Sequence, residues 1–134
     1  MRRTAVTCLV IGGLLAGCAT QASSPAEVAQ SACTDARGVP LVGAPDQGSY
    51  EASSKTMGEW TEALTDAAEK AAAAAEADSA YGELSAEVAD VRDDVVRLHT
   101  VTDEGGAVLD DEMSVISDHI AALVATCARL APAG

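Results

Sequence analysis

Clustered carboxylates and two histidines are the side chains of this sequence whose types suit metal binding or acid–base chemistry. Carboxylate oxygens are the preferred ligands of hard cations such as calcium. The alternating Asp pattern of an EF-hand loop is absent, however, and acids at helix ends have an adequate explanation as capping residues. We therefore predict no specific metal site in the three clusters, which are Asp93-Asp94, Asp103-Glu104 and Asp110-Asp111-Glu112.

The two histidines lack the spacing of a metal-binding helical bundle. Carboxylate-bridged di-metal bundles carry Glu three residues before each His, but Val96 precedes His99 and Ile116 precedes His119 at that spacing. His99 comes near the predicted end of a helix, where the helix dipole favours a cation. His119 follows Asp118 and lies beside the apolar stripe of its helix. We predict that both histidines are surface residues.

Large side chains are scarce, because the chain has one Trp, two Tyr and no Phe. Trp60, Tyr50 and Tyr81 are able to line a small-molecule pocket, but filling the core is the simpler use of so few aromatic residues. The sequence has no Gly-rich phosphate loop, no nucleophile elbow and no free Cys paired with a His. We therefore predict neither catalysis nor a bound cofactor.

Composition indicates one folded, acidic domain. A chain of 134 residues with 49% hydrophobic residues lies outside the disordered class, although its core must be built mainly from Ala, Val, Leu and Ile. The net charge is −13, from 8 basic and 21 acidic residues. Binding to phosphates requires clustered Lys and Arg. The charge balance therefore argues against nucleic acid as a partner.

The N-terminus carries the most specific motif of the chain. Arg2 and Arg3 precede an apolar stretch, Thr4 to Leu15, that has the length of a signal-peptide core and is too short to span a bilayer. This stretch closes on Leu15-Ala16-Gly17-Cys18. The four residues resemble the lipobox of a bacterial lipoprotein precursor. The alternative is an ordinary secretory signal followed by a coincidental Cys.

The resemblance to lipoprotein precursors implies a lipid anchor. It implies diacylglycerol on the Cys18 sulfur and cleavage before Cys18. Cleavage removes Arg2 and Arg3, so the net charge of the mature chain becomes about −15. Several acyl chains hold a protein stably, since each buried methylene contributes about 0.8 kcal/mol. Three regions follow: a signal peptide (1–17), a lipidated Cys with a short tether (18–24) and a helical domain (25–131).

Elsewhere the chain is similar, in composition and helical pattern, to small alanine-rich lipoproteins of high-GC Gram-positive bacteria. This similarity implies the outer face of the plasma membrane. In a Gram-negative host, Ala19 after the Cys would resemble lipoproteins directed to the outer membrane. The tether from Ala19 to Ser24 reaches at most about 20 Å, so we expect the folded domain to lie close to the lipid surface.

The implied lipidation and cleavage decide which of the four cysteines are available to form a disulfide. Cys8 leaves with the signal peptide and Cys18 is modified, which leaves Cys33 and Cys127. In an oxidising compartment such a pair is most simply a disulfide, whereas redox-active pairs usually have Cys-x-x-Cys spacing. A closed loop near 100 residues contributes about 4.7 kcal/mol in the chain-entropy model. We predict a structural disulfide between Cys33 and Cys127.

The periodicity predicts an all-α fold, a small four-helix bundle with helices at about 25–37, 54–77, 79–100 and 108–130. Ser24, Pro25 and Glu27 have the types of a capping box with proline in the first turn, and Gly38 with Pro40 ends the first helix. Residues 41–49 have the composition of a loop. The disulfide then joins the first helix to the fourth.

Apolar stripes define the faces of these helices. The expected buried residues are Val28, Ala29, Ala32, Cys33 and Ala36; Met57, Trp60, Leu64, Ala67, Ala71 and Ala74; Tyr81, Leu84, Val88, Val91, Val95 and Leu98; and Leu109, Met113, Ile116, Ile120, Leu123, Cys127 and Leu130. The Ala71–Ala75 run is read as packed helix, with a linker as the alternative.

The second and third stripes are out of phase at Asp78, which allows either an antiparallel hairpin or one long bent helix. We favour the hairpin, because a continuous helix of this length is rare in a single domain. The opposite face of the third helix, with Glu83, Glu87, Asp90, Asp93, Asp94 and Arg97, is expected to be solvated.

These features favour a membrane-anchored, non-catalytic interaction or structural module of the cell envelope. Its expected partners are membrane lipid, through the acyl chains on Cys18, and an envelope protein that the sequence does not identify. A helical module that binds a ligand or cation is the alternative, and an enzyme is the third possibility.

Overall fold

The computed structural model describes residues 23–44 and 53–132. Within these ranges the chain is all-α, with no strand, as predicted. A short 3-10 turn, Ser79–Tyr81, precedes the fourth of the five described helices. The helices are α1 (Pro25–Arg37), α2 (Pro40–Gly43), α3 (Ser54–Ala77), α4 (Gly82–Asp103) and α5 (Asp110–Leu130).

The first helix begins with the predicted capping box. The Glu27 backbone N–H donates to Ser24 Oγ at 3.2 Å, and the Ser24 N–H donates to the Glu27 carboxylate at 2.7 Å. Pro25 occupies the first turn, where its missing N–H leaves no intrahelical bond unmade. Two otherwise unpaired backbone donors are thereby satisfied, and this fixes the residue at which α1 begins.

Helices α3 and α4 form an antiparallel hairpin, which was the favoured prediction. Ser54, at the start of α3, hydrogen bonds to Asp103 at the end of α4, and the Thr102 hydroxyl lies 3.7 Å from Met57 Sδ. The chain turns at Asp78, whose carboxylate accepts a 3.0 Å hydrogen bond from the Ala80 N–H. Asp78 caps the 3-10 turn, so that α4 begins at Gly82 rather than at residue 79.

Helices α1 and α5 complete the core. Lys70 on α3 pairs with Asp35 on α1 at 2.5 Å. Gln30 on α1 donates to the Leu130 carbonyl of α5 at 3.4 Å. The pairs α3/α4, α4/α5 and α1/α5 are antiparallel, because residues late in one helix contact residues early in its neighbour. It follows that α1 and α3 also run in opposite directions.

Alanine dominates the contact between α1 and α3. Ala32 and Ala36 on α1, and Ala67 and Ala71 on α3, are completely buried. Small side chains allow two helix backbones to approach closely. The Ala71–Ala75 run is therefore packed helix and not a linker. The larger side chains that are fully buried come from α3, α4 and α5. They include Leu64, Leu84, Val88, Val91 and Leu123.

The segment after α1 differs from its predicted loop character. Pro40 starts the four-residue helix α2, and Leu41 and Val42 are each 2% exposed. The prediction of a loop over 41–49 is therefore wrong for residues 41–43, because a single helical turn is too short to produce a periodic pattern. Residues 45–49 lie outside the described residues.

Several predicted stripe positions are only partly buried. Val28, Trp60, Tyr81, Met113 and Leu130 pack against the core without being enclosed by it. Leu109 is 60% exposed and precedes the first residue of α5, where its backbone N–H donates to the Glu112 carboxylate at 3.2 Å. The prediction that Leu109 is buried is therefore wrong, since the helix begins at Asp110 and not at 108.

Candidate functional site

The two cysteines assigned to the mature domain are paired. Cys33 on α1 and Cys127 on α5 form a disulfide with a Cα–Cα distance of 5.6 Å, and their side chains are 4% and 1% exposed. This is the predicted connection between the first and last long helices. The disulfide cross-links residues 94 positions apart, so it restricts the unfolded chain over most of the domain.

Cys18 and the rest of Leu15-Ala16-Gly17-Cys18 lie outside the described residues. Lipidation of Cys18 therefore remains a prediction. The first helical residue is Pro25, and six residues separate it from Cys18.

A polar cluster occupies the contact between α4 and α5. Asp94 is 6% exposed. Its carboxylate lies 2.7 Å from His119 Nδ1 on α5 and 3.3 Å from an Arg97 guanidinium nitrogen on its own helix. The prediction that Asp94 belongs to a solvated face is wrong, because α5 covers that flank of α4. Charge pairing is what makes the burial of this carboxylate tolerable.

His119 is partly exposed, but it is not an isolated surface residue. Its side chain is 36% exposed, and the ring reaches across to Asp94. The hydrogen bond to Asp94 raises the pKa of His119 above its ordinary value, and this effect outweighs the partial burial that lowers it. The negative charges of Asp94, Asp90 and Asp118 act in the same direction. The pair therefore favours a protonated ring.

Ser54, His99 and Asp103 meet where α3 begins and α4 ends. Ser54 Oγ lies 3.0 Å from His99 Nε2, and an Asp103 oxygen lies 3.3 Å from the same nitrogen. In a Ser-His-Asp triad the serine and the aspartate contact opposite nitrogens of the ring, so that the acid orients the base. Here both groups approach Nε2. The arrangement joins the two ends of the hairpin and does not match the geometry of a triad.

The acidic clusters are dispersed among structural contacts. Asp93 pairs with Arg92 at 2.7 Å, and Glu112 accepts a hydrogen bond at the start of α5. Among residues 23–44 and 53–132, no group of three or more His, Cys, Asp or Glu side chains is placed to hold a metal ion.

A partly enclosed apolar cavity of about 300 Å³ lies beside Trp60 and between four segments of the chain. We call it the Trp60 cavity. The sequence singled out Trp60 but not this site, since Tyr81 lies beyond the far end of α3 and Tyr50 is outside the described residues. The lining residues are Leu41, Met57, Trp60, Leu98, Thr102, Val108 and Met113.

Helix α5 also has the length and composition of a membrane span. It contains 21 residues, and its most apolar window has a mean hydropathy of 1.3. A core helix has the same properties, and Ile116, Ile120, Leu123 and Cys127 of α5 are each at most 2% exposed. These side chains pack against the rest of the fold, and the disulfide ties the end of α5 to α1.

Comparison with known proteins gives no assignment for the chain. No protein-family model, no curated protein and no solved structure matches it.

Proposed function

We propose that the chain is a bacterial lipoprotein precursor whose mature form is a non-catalytic interaction or structural module of the cell envelope. In this proposal the signal peptide is removed before Cys18, and acyl chains on Cys18 hold the domain at the extracytoplasmic face of the plasma membrane. In a Gram-negative host the destination is the outer membrane. The observation that carries the proposal is the order of basic, apolar and lipobox residues that ends in Leu15-Ala16-Gly17-Cys18.

The disulfide supports export, independently of the lipobox. Disulfides persist in oxidising compartments and are rare in the cytosol. The connection of Cys33 to Cys127 also leaves neither cysteine as the lipid acceptor, so Cys8 and Cys18 are the remaining thiols of the chain. Only Cys18 stands at the end of a lipobox.

Polar side chains that connect neighbouring helices support a structural or interaction role. Asp94 with His119, and Ser54 with Asp103, each connect two helices. We further infer that α1, α3, α4 and α5 act as one four-helix bundle in the mature protein. Antiparallel contacts between α3/α4, α4/α5 and α1/α5, together with the contact of Lys70 on α3 with α1, support that arrangement.

Fractionation of two cysteine variants tests the anchor. Cys18→Ala removes the acceptor, so the domain is expected in the soluble fraction or as an uncleaved precursor. Cys8→Ala is the matched control, because it removes a thiol from the signal peptide without touching the lipobox, and it should remain membrane-bound and processed. Equal membrane retention of processed Cys18→Ala and Cys8→Ala protein would exclude the lipid anchor.

Photo-crosslinking in the native membrane tests the interaction role. Val96 and Val115 are 42% and 46% exposed on α4 and α5, so a crosslinker at either position replaces no core side chain. We expect a discrete adduct of one envelope protein from at least one of these surfaces. A crosslinker at Lys55, on the exposed start of α3, gives a third surface. The absence of any adduct from all three would argue against a protein-contact module.

A further inference from the structure

We infer that the Trp60 cavity is a binding site for a small, uncharged aromatic molecule of one or two rings. This inference goes beyond the proposed envelope role and does not depend on lipidation. The cavity volume of about 300 Å³ is roughly twice that of an engineered apolar cavity, about 150 Å³, that takes up benzene. It also falls at the lower end of natural ligand pockets, about 300–1,000 Å³.

The walls of the cavity exclude a charged ligand. None of the described residues that line it is ionisable. Thr102 supplies the side-chain hydroxyl of the lining, and Oγ1 already lies 2.8 Å from the Leu98 carbonyl oxygen and 3.7 Å from Met57 Sδ. A charge placed against these walls would lose part of its hydration without gaining a partner, which is unfavourable. The net charge of −13 also disfavours the binding of anionic ligands.

An aromatic ligand fits the lining better than an aliphatic one. Trp60 presents an indole ring, and offset or edge-to-face ring contacts contribute about 0.5–1.5 kcal/mol beyond area burial. Met57 and Met113 each add a thioether, and sulfur contacts with aromatic rings are also favourable. Three of the seven described lining residues therefore carry groups that attract a ring.

The cavity has a fixed side and an adaptable side. Leu41, Met57 and Leu98 are 2%, 7% and 8% exposed, so they are anchored in the core. Val108 and Met113 pack against the core but are only partly buried. Val108 precedes α5, where a change of side chain interrupts no helix. Small adjustments on this side can therefore admit a ring while the core wall stays in place.

Trp60 is the only Trp of the chain, so all indole emission comes from a residue that lines this cavity. The mature protein in phosphatidylcholine vesicles is titrated with bromobenzene, an uncharged ring whose bromine quenches indole emission. We expect saturable quenching. Partition into lipid lowers the free bromobenzene concentration, and collisional quenching adds a linear background; protein-free vesicles containing a tryptophan ester measure both. Quenching that rises linearly with no saturable part would overturn the inference.

Two phenylalanine variants locate the effect. Val108→Phe fills the cavity and should weaken binding about tenfold, which corresponds to about 1.4 kcal/mol. Val115→Phe adds the same side chain on the exposed surface of α5 and should leave the dissociation constant within about twofold. If both variants weaken bromobenzene binding equally, or if neither weakens it, the bromobenzene binds outside this cavity and the inference is wrong. If Val108→Phe loses its helical circular dichroism, Met113→Phe takes its place with the same expected result.

Discussion

His119 Nδ1 on α5 lies 2.7 Å from Asp94 Oδ2 on α4. The carboxylate side chain is 8% exposed, whereas the imidazole is 36% exposed. Asp94 also has Arg97 at 3.3 Å, so the buried acid has one cation on its own helix and a second, titratable one on the neighbouring helix. Protonation of the ring thus strengthens a contact between two helices.

The pH dependence of stability follows from the raised pKa of His119. Below its unfolded pKa, about 6.5, the ring is protonated in both states and the pair contributes fully as long as Asp94 is ionised. The contribution is lost as pH rises through the higher folded pKa. We expect the unfolding free energy to fall over that window, by less than about 1 kcal/mol because the ring is partly screened by solvent. Denaturant titrations at a series of pH values measure it.

Two variants identify the group responsible for this pH dependence. His119→Gln and Asp94→Asn should both remove the part of the decrease that begins near pH 6.5, since each removes one charge of the pair. Asp94→Asn should also lower stability at all pH values, because it weakens the contact to Arg97. A pH profile of His119→Gln that parallels the wild-type profile would show that another group titrates.

Reduction of the disulfide should destabilise the domain strongly. Cys33 and Cys127 close a loop in which the cysteines are 94 positions apart, and loss of a native disulfide from a small exported domain typically costs about 2–5 kcal/mol. The double variant Cys33→Ala/Cys127→Ala should behave as the reduced protein does and should not respond to reductant. Thermal unfolding with and without a dithiol measures both. An unchanged melting temperature after complete reduction would contradict a structural role.

Two glycines should respond in opposite ways to substitution by alanine. A Cβ at Gly43 would lie 2.2 Å from the Arg37 carbonyl oxygen, so the backbone of α2 or α1 has to move, and we expect a loss of about 1–3 kcal/mol. A Cβ at Gly82, in the first turn of α4, meets nothing within 4 Å. Gly82→Ala should therefore stabilise the protein by about 0.5–1 kcal/mol. Equal effects on the free energy of unfolding would contradict this account.

The elements of the fold that were predictable are those with long, regular signals. The capping box at Ser24, the start of α3 at Ser54 and the stripe from Leu84 to Leu98 depend on neighbouring residues of one helix, and the structure has all of them. The disulfide was predictable because the resemblance to a lipobox assigns Cys8 and Cys18 to other roles and leaves Cys33 and Cys127 as a pair.

The elements that were missed depend on how helices meet. Periodicity places Asp94 on the flank of the α4 stripe, but only the position of α5 decides that this flank is covered. His119 lies 25 positions from Asp94 in the sequence, and no local pattern connects them. The Trp60 cavity likewise arises where α2, α3, α4 and the start of α5 converge. Helix α2 is too short for any periodic signal.

The mass of the N-terminal peptide of the membrane-extracted protein tests the lipoprotein assignment most directly. We expect the mature chain to begin at Cys18 and that residue to carry the added mass of a diacylglycerol thioether, with any further acyl chain on its new amino group. The peptide of Cys8→Ala should be identical, since residues 1–17 are absent from both. A peptide that begins at Met1 or Ala19, or an unmodified thiol at Cys18, would contradict the assignment.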